Sequence, residues 1–208
     1  MARRQTGNTN EIMHFEANRL YHIYNQGNNK QLLFYSRDNY IYFLKLYQKF
    51  VSNNGDLLAY CLMPNHFHFL INTTENSIRT KTVGSLQLTE LSNGIRMLLS
   101  SFSSAINKQE NMTGSLFRQK TQAKLLENES VNYPFICFHY IHQNPMKAGL
   151  VSRLEDWEFS SFAEYNNNHI NAKCNHDLAK KLIGINNDNY IEEAYSEIDS
   201  EKIKKMYL

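Results

Sequence analysis

Residues 57–71 are almost wholly apolar, and the pair Pro64-Asn65 cuts that stretch in the middle. Proline fixes its own φ and lacks an N–H, and asparagine tolerates turn geometry, so the pair marks a tight turn between two strands. Beyond the turn the side chains alternate, with His66 and His68 on one face of the strand and Phe67 and Phe69 on the other. Two imidazoles at this spacing can bind one metal ion through neutral ring nitrogens. An isolated His-x-His is more often a pair of half-buried, hydrogen-bonded histidines, so alone the motif carries little weight.

Around this hairpin the chain reads as alternating strands and helices. Residues 20–24 form a first strand of aromatic and branched side chains, 25–29 a turn, and Leu32-Leu33-Phe34 a short return strand. Ser36 is an N-cap, opening a helix with Ile41, Leu44, Tyr47 and Val51 at helical spacing, and Asn53-Asn54-Gly55 ends it. Residues 73–87 are polar and lack periodicity, which predicts a mobile loop. Thr89 starts a second helix striped by Leu91, Ile95, Leu98, Phe102 and Ile106, and residues 116–126 lead into a strand. A third helix spans roughly 132–143, with Pro134 in its first turn, and stops at Asn144-Pro145 because the residue before proline disfavours helical geometry. An apolar patch at 157–162 is expected to pack back on the domain, and short helices follow near 177–183 and 190–198. The predicted organisation is a flexible arm over 1–18, a main domain over 19–165 and a helical C-terminal extension over 166–208.

The totals exclude several classes. Of 208 residues, 42% are hydrophobic and 12% aromatic, enough for a packed core and too many for a disordered chain. No apolar run is long enough to span a membrane, and the N-terminal residues contain no signal-peptide apolar region. Cys61, Cys137 and Cys174 are odd in number and widely spaced, which fits a reducing cytoplasm. Residues 1–160 carry 16 basic and 12 acidic side chains, whereas 161–208 carry 6 and 8. This mild basic bias of the main domain is compatible with a nucleic-acid groove without identifying one.

The second half of a candidate site lies some seventy residues after the histidines. On the third helix Tyr140 and Asn144 are four residues apart and share a face. Packed against the histidine strand, that face would bring a phenol and a carboxamide oxygen beside the metal site. His66, His68 and Asn144 would then be an uncharged ligand set, leaving the full charge of a divalent ion to act as a Lewis acid on a phosphate, with Tyr140 as nucleophile. Tyr140 is one of 13 tyrosines, and without the histidine pair it reads as an ordinary amphipathic-helix tyrosine.

The run Met63-Pro64-Asn65-His66-Phe67-His68-Phe69-Leu70-Ile71, taken with Tyr140-Ile141-His142-Gln143-Asn144-Pro145-Met146-Lys147-Ala148-Gly149-Leu150-Val151, resembles the single-tyrosine transposases of the HUH class. Among them it is most similar to the REP-associated tyrosine transposases, and the likeness extends over about residues 20–165. The resemblance implies an α+β fold, a ferredoxin-like antiparallel sheet with flanking helices (the HUH endonuclease fold). It also implies a transposase that cleaves and rejoins single-stranded or hairpin DNA through a 5′-phosphotyrosine, with a divalent metal, Mg or Mn. His66 and His68 fall on the family's metal-binding pair, Tyr140 on its nucleophile, and Asn144 on its third ligand, with Gln143 beside it as the alternative. The relatives imply a monomer rather than a dimer.

Arg118, Lys120 and Lys147 are candidate DNA-phosphate contacts, and for each a solvated surface charge is an equal reading. Residues 73–87 and the chain after Tyr165 match no motif of the family, so the recognised hairpin is not readable from the sequence. The alternative function is a non-catalytic hairpin-DNA-binding regulator on the same fold. A hydrolase using a metal-bound water would want an acidic base near the histidines, and Leu70, Ile71 and Asn72 supply none.

Overall fold

The computed structural model describes residues 13–126, 132–167, 172–186 and 189–207. Its elements begin with β1 (Leu20–Gln26), α1 (Arg37–Phe50), β2 (Asp56–Met63) and β3 (His66–Asn72). A short helix α2 (Glu75–Ile78) and a small hairpin of β4 (Thr80–Val83) and β5 (Leu86–Thr89) come next. They lead into α3 (Glu90–Gln109), β6 (Gln122–Leu125) and α4 (Tyr133–Lys147). Four C-terminal helices follow, α5 (Phe162–Asn167), α6 (His176–Ile183), α7 (Tyr190–Tyr195) and α8 (Ser200–Tyr207).

Four strands pair in the order β2-β3-β1-β6, every pair antiparallel. With α1 between β1 and β2, and α3 between β3 and β6, this is the ferredoxin-like arrangement, a mixed α+β fold with flanking helices. The alternation of β3 divides the core in two. Phe67, Phe69 and Ile71 pack with Ile23 against Phe43 of α1 and Leu98 and Phe102 of α3. Leu70 joins Leu58, Cys61 and Met63 against Phe138 and Ile141 of α4 on the opposite face. Gly94 permits the close approach of α3 to α1, since a Cβ there would fall 2.3 Å from the Phe50 carbonyl oxygen.

The helix starts follow their caps. The backbone N–H of Ser36 donates to Asn39 Oδ1 at 3.1 Å, and Ser92 N–H donates to Thr89 Oγ1 at 3.2 Å. On α3 the predicted stripe of Leu91, Ile95, Leu98, Phe102 and Ile106 is buried. On α1 Tyr47 and the following Val51 are buried as expected, but the rest of the stripe is Tyr40, Phe43 and Leu46, with Ile41 and Leu44 only partly covered. Aromatic bulk decided that rotation: Phe34, Phe43, Phe67 and Phe102 interlock edge to face and tilted, with centroids 4.9 to 5.4 Å apart.

Four local expectations are corrected. Residues 73–87 are not a loop throughout, because α2, β4 and the first half of β5 occupy them. Gly84, at φ +62°, turns the hairpin between two runs of alternating Thr, Val and Leu. Leu32-Leu33-Phe34 is not a strand; the N–H groups of Leu33 and Phe34 donate to the Pro64 carbonyl at 2.8 and 3.2 Å and brace the central hairpin. Helix α4 continues past Asn144-Pro145 to Lys147. Proline removes the bond its own N–H would make, but Ala148 N–H donates to Asn144 O at 2.9 Å, so the helix resumes at once. Finally, residues 1–12 of the predicted arm lie outside the described residues, while Phe15 is buried edge-on against Tyr21 and Ser92 Oγ donates to the Met13 carbonyl.

Residues 157–161 do pack back. Leu62 N–H donates to Phe159 O and Ser161 N–H to Tyr60 O, both at 2.9 Å, so the segment lies along the outer edge of β2. The C-terminal helices α6, α7 and α8 pack on α4, with Ala179, Ile183, Tyr190 and Ala194 in the same cluster as Phe138. Among the described residues no helix is long and apolar enough to cross a membrane.

Candidate active site

β1 and β3 turn their even-numbered residues towards the α4 side. The register sets Gln26 opposite His66, Tyr24 opposite His68 and His22 opposite Leu70, and β6 adds Gln122 beside Tyr24. A period of two thus stacks polar groups on a face that is otherwise apolar. The rings of His66 and His68 are 5.0 Å apart and nearly perpendicular, at 85°. α4 lays Tyr140 edge-on to His68, with centroids 5.7 Å apart. One turn later Asn144 comes close enough to His66 to favour its protonated form, while its amide nitrogen donates to the Tyr140 carbonyl at 2.8 Å. That second bond leaves the carboxamide oxygen as the atom presented to His66.

A cavity of about 230 Å³ opens over these groups, lined by Tyr24, Asn25, Gln26, His66, His68, Arg118, Lys120, Gln122 and Tyr140. The Arg118 backbone is held to β1, its N–H donating to Gln26 O at 2.9 Å and its carbonyl accepting from Asn25 Nδ2 at 3.2 Å. Lys147 is exposed at the end of α4, where burial lowers its pKa and nearby Glu197 opposes that, and it is not among the lining residues. Gln143 is buried with its amide nitrogen donating to the carbonyls of Ala194 and Ser196 at 2.7 and 2.9 Å. Of the two candidate third ligands, Asn144 is therefore the one beside the histidines.

Electrostatics keep the imidazoles neutral. Burial takes His22 down to about 3 and drives His68 well below its usual value, with His22 and His66 pushing the same way. His66 is lowered by burial, partly offset by the nearby Asn144. Tyr24 is raised, first by burial and then by the nearby Tyr140.

These residues fit a divalent ion. His68 is 3% exposed and its Nε2 is buried with no hydrogen-bond partner among the described residues. His66 Nδ1 lies 2.7 Å from Asn65 Oδ1, the kind of outer contact that orients a ligand imidazole. Among the described residues no three His, Cys, Asp or Glu side chains are placed to hold an ion, so a third protein donor must be of another type, and the Asn144 carboxamide is at hand. The imidazole nitrogens suit borderline first-row ions and the amide oxygen suits harder ions of the magnesium and manganese kind, so the mixed set fits a divalent cation without choosing between them.

The sequence reading overlooked His22, Tyr24, Gln26 and Gln122. The signal was available: His22-x-Tyr24-x-Gln26 is a strand whose polar residues share one face.

No family model matches the sequence, and no curated protein matches it. Among solved structures the chain is similar to a REP-associated tyrosine transposase bound to a REP hairpin, with a TM-score of 0.52 and 17% identity, covering 73% of this chain and 81% of the other. It also matches a bacterial tRNA(His) guanylyltransferase-like protein in complex with GTP, with a TM-score of 0.42 and 14% identity, over 67% and 68% of the two chains. The first likeness shows the fold: an antiparallel sheet with flanking helices, shared with that transposase.

Proposed function

We propose that this chain is a metal-dependent transposase that cleaves and rejoins single-stranded or hairpin DNA through a 5′-phosphotyrosine. The observation that carries the reading is the placement of Tyr140 edge-on to His68, with Asn144 on His66, over a cavity that Arg118 and Lys120 also line. The transposase whose fold it shares is bound to a REP hairpin, which supports DNA hairpins as the first substrates to try.

His66, His68 and Asn144 would hold Mg or Mn, which when bound supplies Lewis-acid charge to a phosphoryl oxygen. Arg118 and Lys120 draw the DNA backbone into the cavity and hold one phosphate near Tyr140. The Tyr140 hydroxyl attacks that phosphorus, forming the Oη–P bond as the P–O3′ bond breaks. The phenolic proton is lost, the departing 3′ oxygen gains one, and the 5′-phosphate remains esterified to Tyr140. A phosphodiester is exchanged for a phosphodiester, so a new 3′-hydroxyl can reverse the step without ATP. All named side chains belong to one chain, which supports a monomer as the acting unit.

The test is incubation of the protein with Mn²⁺ and hairpins carrying a single-stranded flank. A DNA adduct that survives denaturing electrophoresis, and is absent with Tyr140→Phe, is the expected result. Hairpin binding with no adduct on any substrate would instead favour a non-catalytic regulator.

A further inference from the structure

We propose that His22 is a positioning residue: it accepts the Nδ1 proton of His68 and so fixes the tautomer in which His68 Nε2 is a bare lone pair for a divalent ion. This deepens the metal-dependent reading above and rests on it. In the sheet register Tyr24, not His22, lies opposite His68, so His22 reaches it along the diagonal. The two rings stack with centroids 5.0 Å apart and 24° between planes, and His22 Nε2 is 2.9 Å from His68 Nδ1. Both side chains are buried, at 0% and 3% exposure.

Both rings are enclosed, and a neutral imidazole carries one N–H and one bare nitrogen. Their shared hydrogen bond contains one proton, and that leaves two arrangements. Either way one ring N–H lies on a buried nitrogen, Nε2 of His68 if His22 donates or Nδ1 of His22 if His68 donates, so burial does not choose between them. The ion chooses, because only a nitrogen that carries no proton can ligate it. If His68 donates, its Nε2 offers a lone pair, and an ion held with His66 and Asn144 satisfies it. His22 then occupies the outer position that a carboxylate or carbonyl fills behind many metal-bound histidines. Being neutral, it orients His68 without adding negative charge, so the ligand set stays uncharged.

The tautomers can be read directly from long-range ¹H–¹⁵N correlations of histidine-labelled, metal-free protein, assigned with His22→Phe and His68→Gln. The wild type should show His68 protonated on Nδ1 and bare on Nε2. His22→Phe keeps the ring but removes the acceptor; Mn²⁺ affinity should fall by about 10- to 100-fold. His22→Gln, which restores an acceptor oxygen, should recover most of that loss. Both variants are checked for cooperative unfolding, and if His22→Phe does not fold, the wild-type tautomer and His22→Gln decide. A wild-type His68 protonated on Nε2, or a folded His22→Phe with unchanged tautomer and Mn²⁺ affinity, overturns the assignment. A wild type that binds no Mn²⁺ and forms no adduct would defeat the metal-dependent reading, while the metal-free tautomer would still test His22.

Discussion

Helix α4 has histidines on both sides, and the two sides differ in kind. Towards the sheet, Tyr140 and Asn144 meet His66 and His68 at a cavity lined by basic side chains. Towards the C-terminal helices, His139 and His142 are each 1% exposed and enclosed by Phe135, Phe138, Phe162, Tyr165 and Tyr190. There His142 Nε2 is 2.7 Å from Ser161 Oγ, and His139 Nε2 is 4.0 Å from Glu193 Oε2. Composition does not separate the two regions. Access and convergence do: one set faces a space that a phosphate can enter, while the other is closed by aromatic rings and serves packing.

The largest contrast is expected from Tyr140→Phe. It should reduce covalent adduct by roughly 10⁴-fold or more, while stability changes by no more than about 1 kcal/mol. A gel assay beside a urea melt checks both, and an undiminished adduct would move the nucleophile elsewhere. Next, His66→Ala with His68→Ala should abolish Mn²⁺ binding by calorimetry and leave unfolding cooperative; full cleavage in excess chelator would contradict the metal set. On the closed side the order inverts. His142→Ala should cost about 2–4 kcal/mol, from the cavity and the stranded Ser161 hydroxyl, yet leave the single-turnover adduct rate of folded protein unchanged.

Acid should weaken the closed side too, as it does the buried histidines of the sheet side. Burial takes His139 from 6.5 down to about 4, so as pH falls below 6.5 the unfolded chain takes up a proton that the folded one refuses. Stability is therefore full above pH 6.5 and falls as pH drops towards 4, by about 3 kcal/mol for this group, with Glu193 and His142 the titratable neighbours facing it. His139→Phe should flatten that part of a chemical-denaturation pH profile. The smallest effect is at the cavity rim, where Arg118→Ala should weaken hairpin binding and lower its log–log salt slope by about one, with sequence preference unchanged.

Much of the sheet side was legible in the sequence. The hairpin at Pro64-Asn65, the alternation that sends His66 and Phe67 to opposite faces, and the spacing of Tyr140 and Asn144 are local patterns with fixed geometric meaning. What escaped depends on contacts between distant segments. His22 gains its place only when β1 pairs with β3, and Gln143 could be parted from Asn144 only once α7 supplied carbonyl acceptors. Lys147, equally basic in the sequence, is exposed at the end of α4 and does not line the cavity. The Pro145 misreading has a different source: a steric preference about single residues was outweighed by a helix whose apolar side, Cys137, Phe138 and Ile141, was already committed to the core.

The strand order carries a consequence for the chain while it is being made. β1 is synthesised first among the strands but lies between β3 and β6, so Tyr21 must wait for Ile71 on one side and Leu125 on the other. Tyr140 follows later still. At bacterial-type elongation rates, on the order of ten seconds separate the appearance of His68 from that of Tyr140. Throughout that interval a nascent chain can display the histidine hairpin and Tyr24 but not Tyr140. A chain that stops there lacks Tyr140, so under the proposed function it would lack the nucleophile, which joins the histidines only after the last strand has been made.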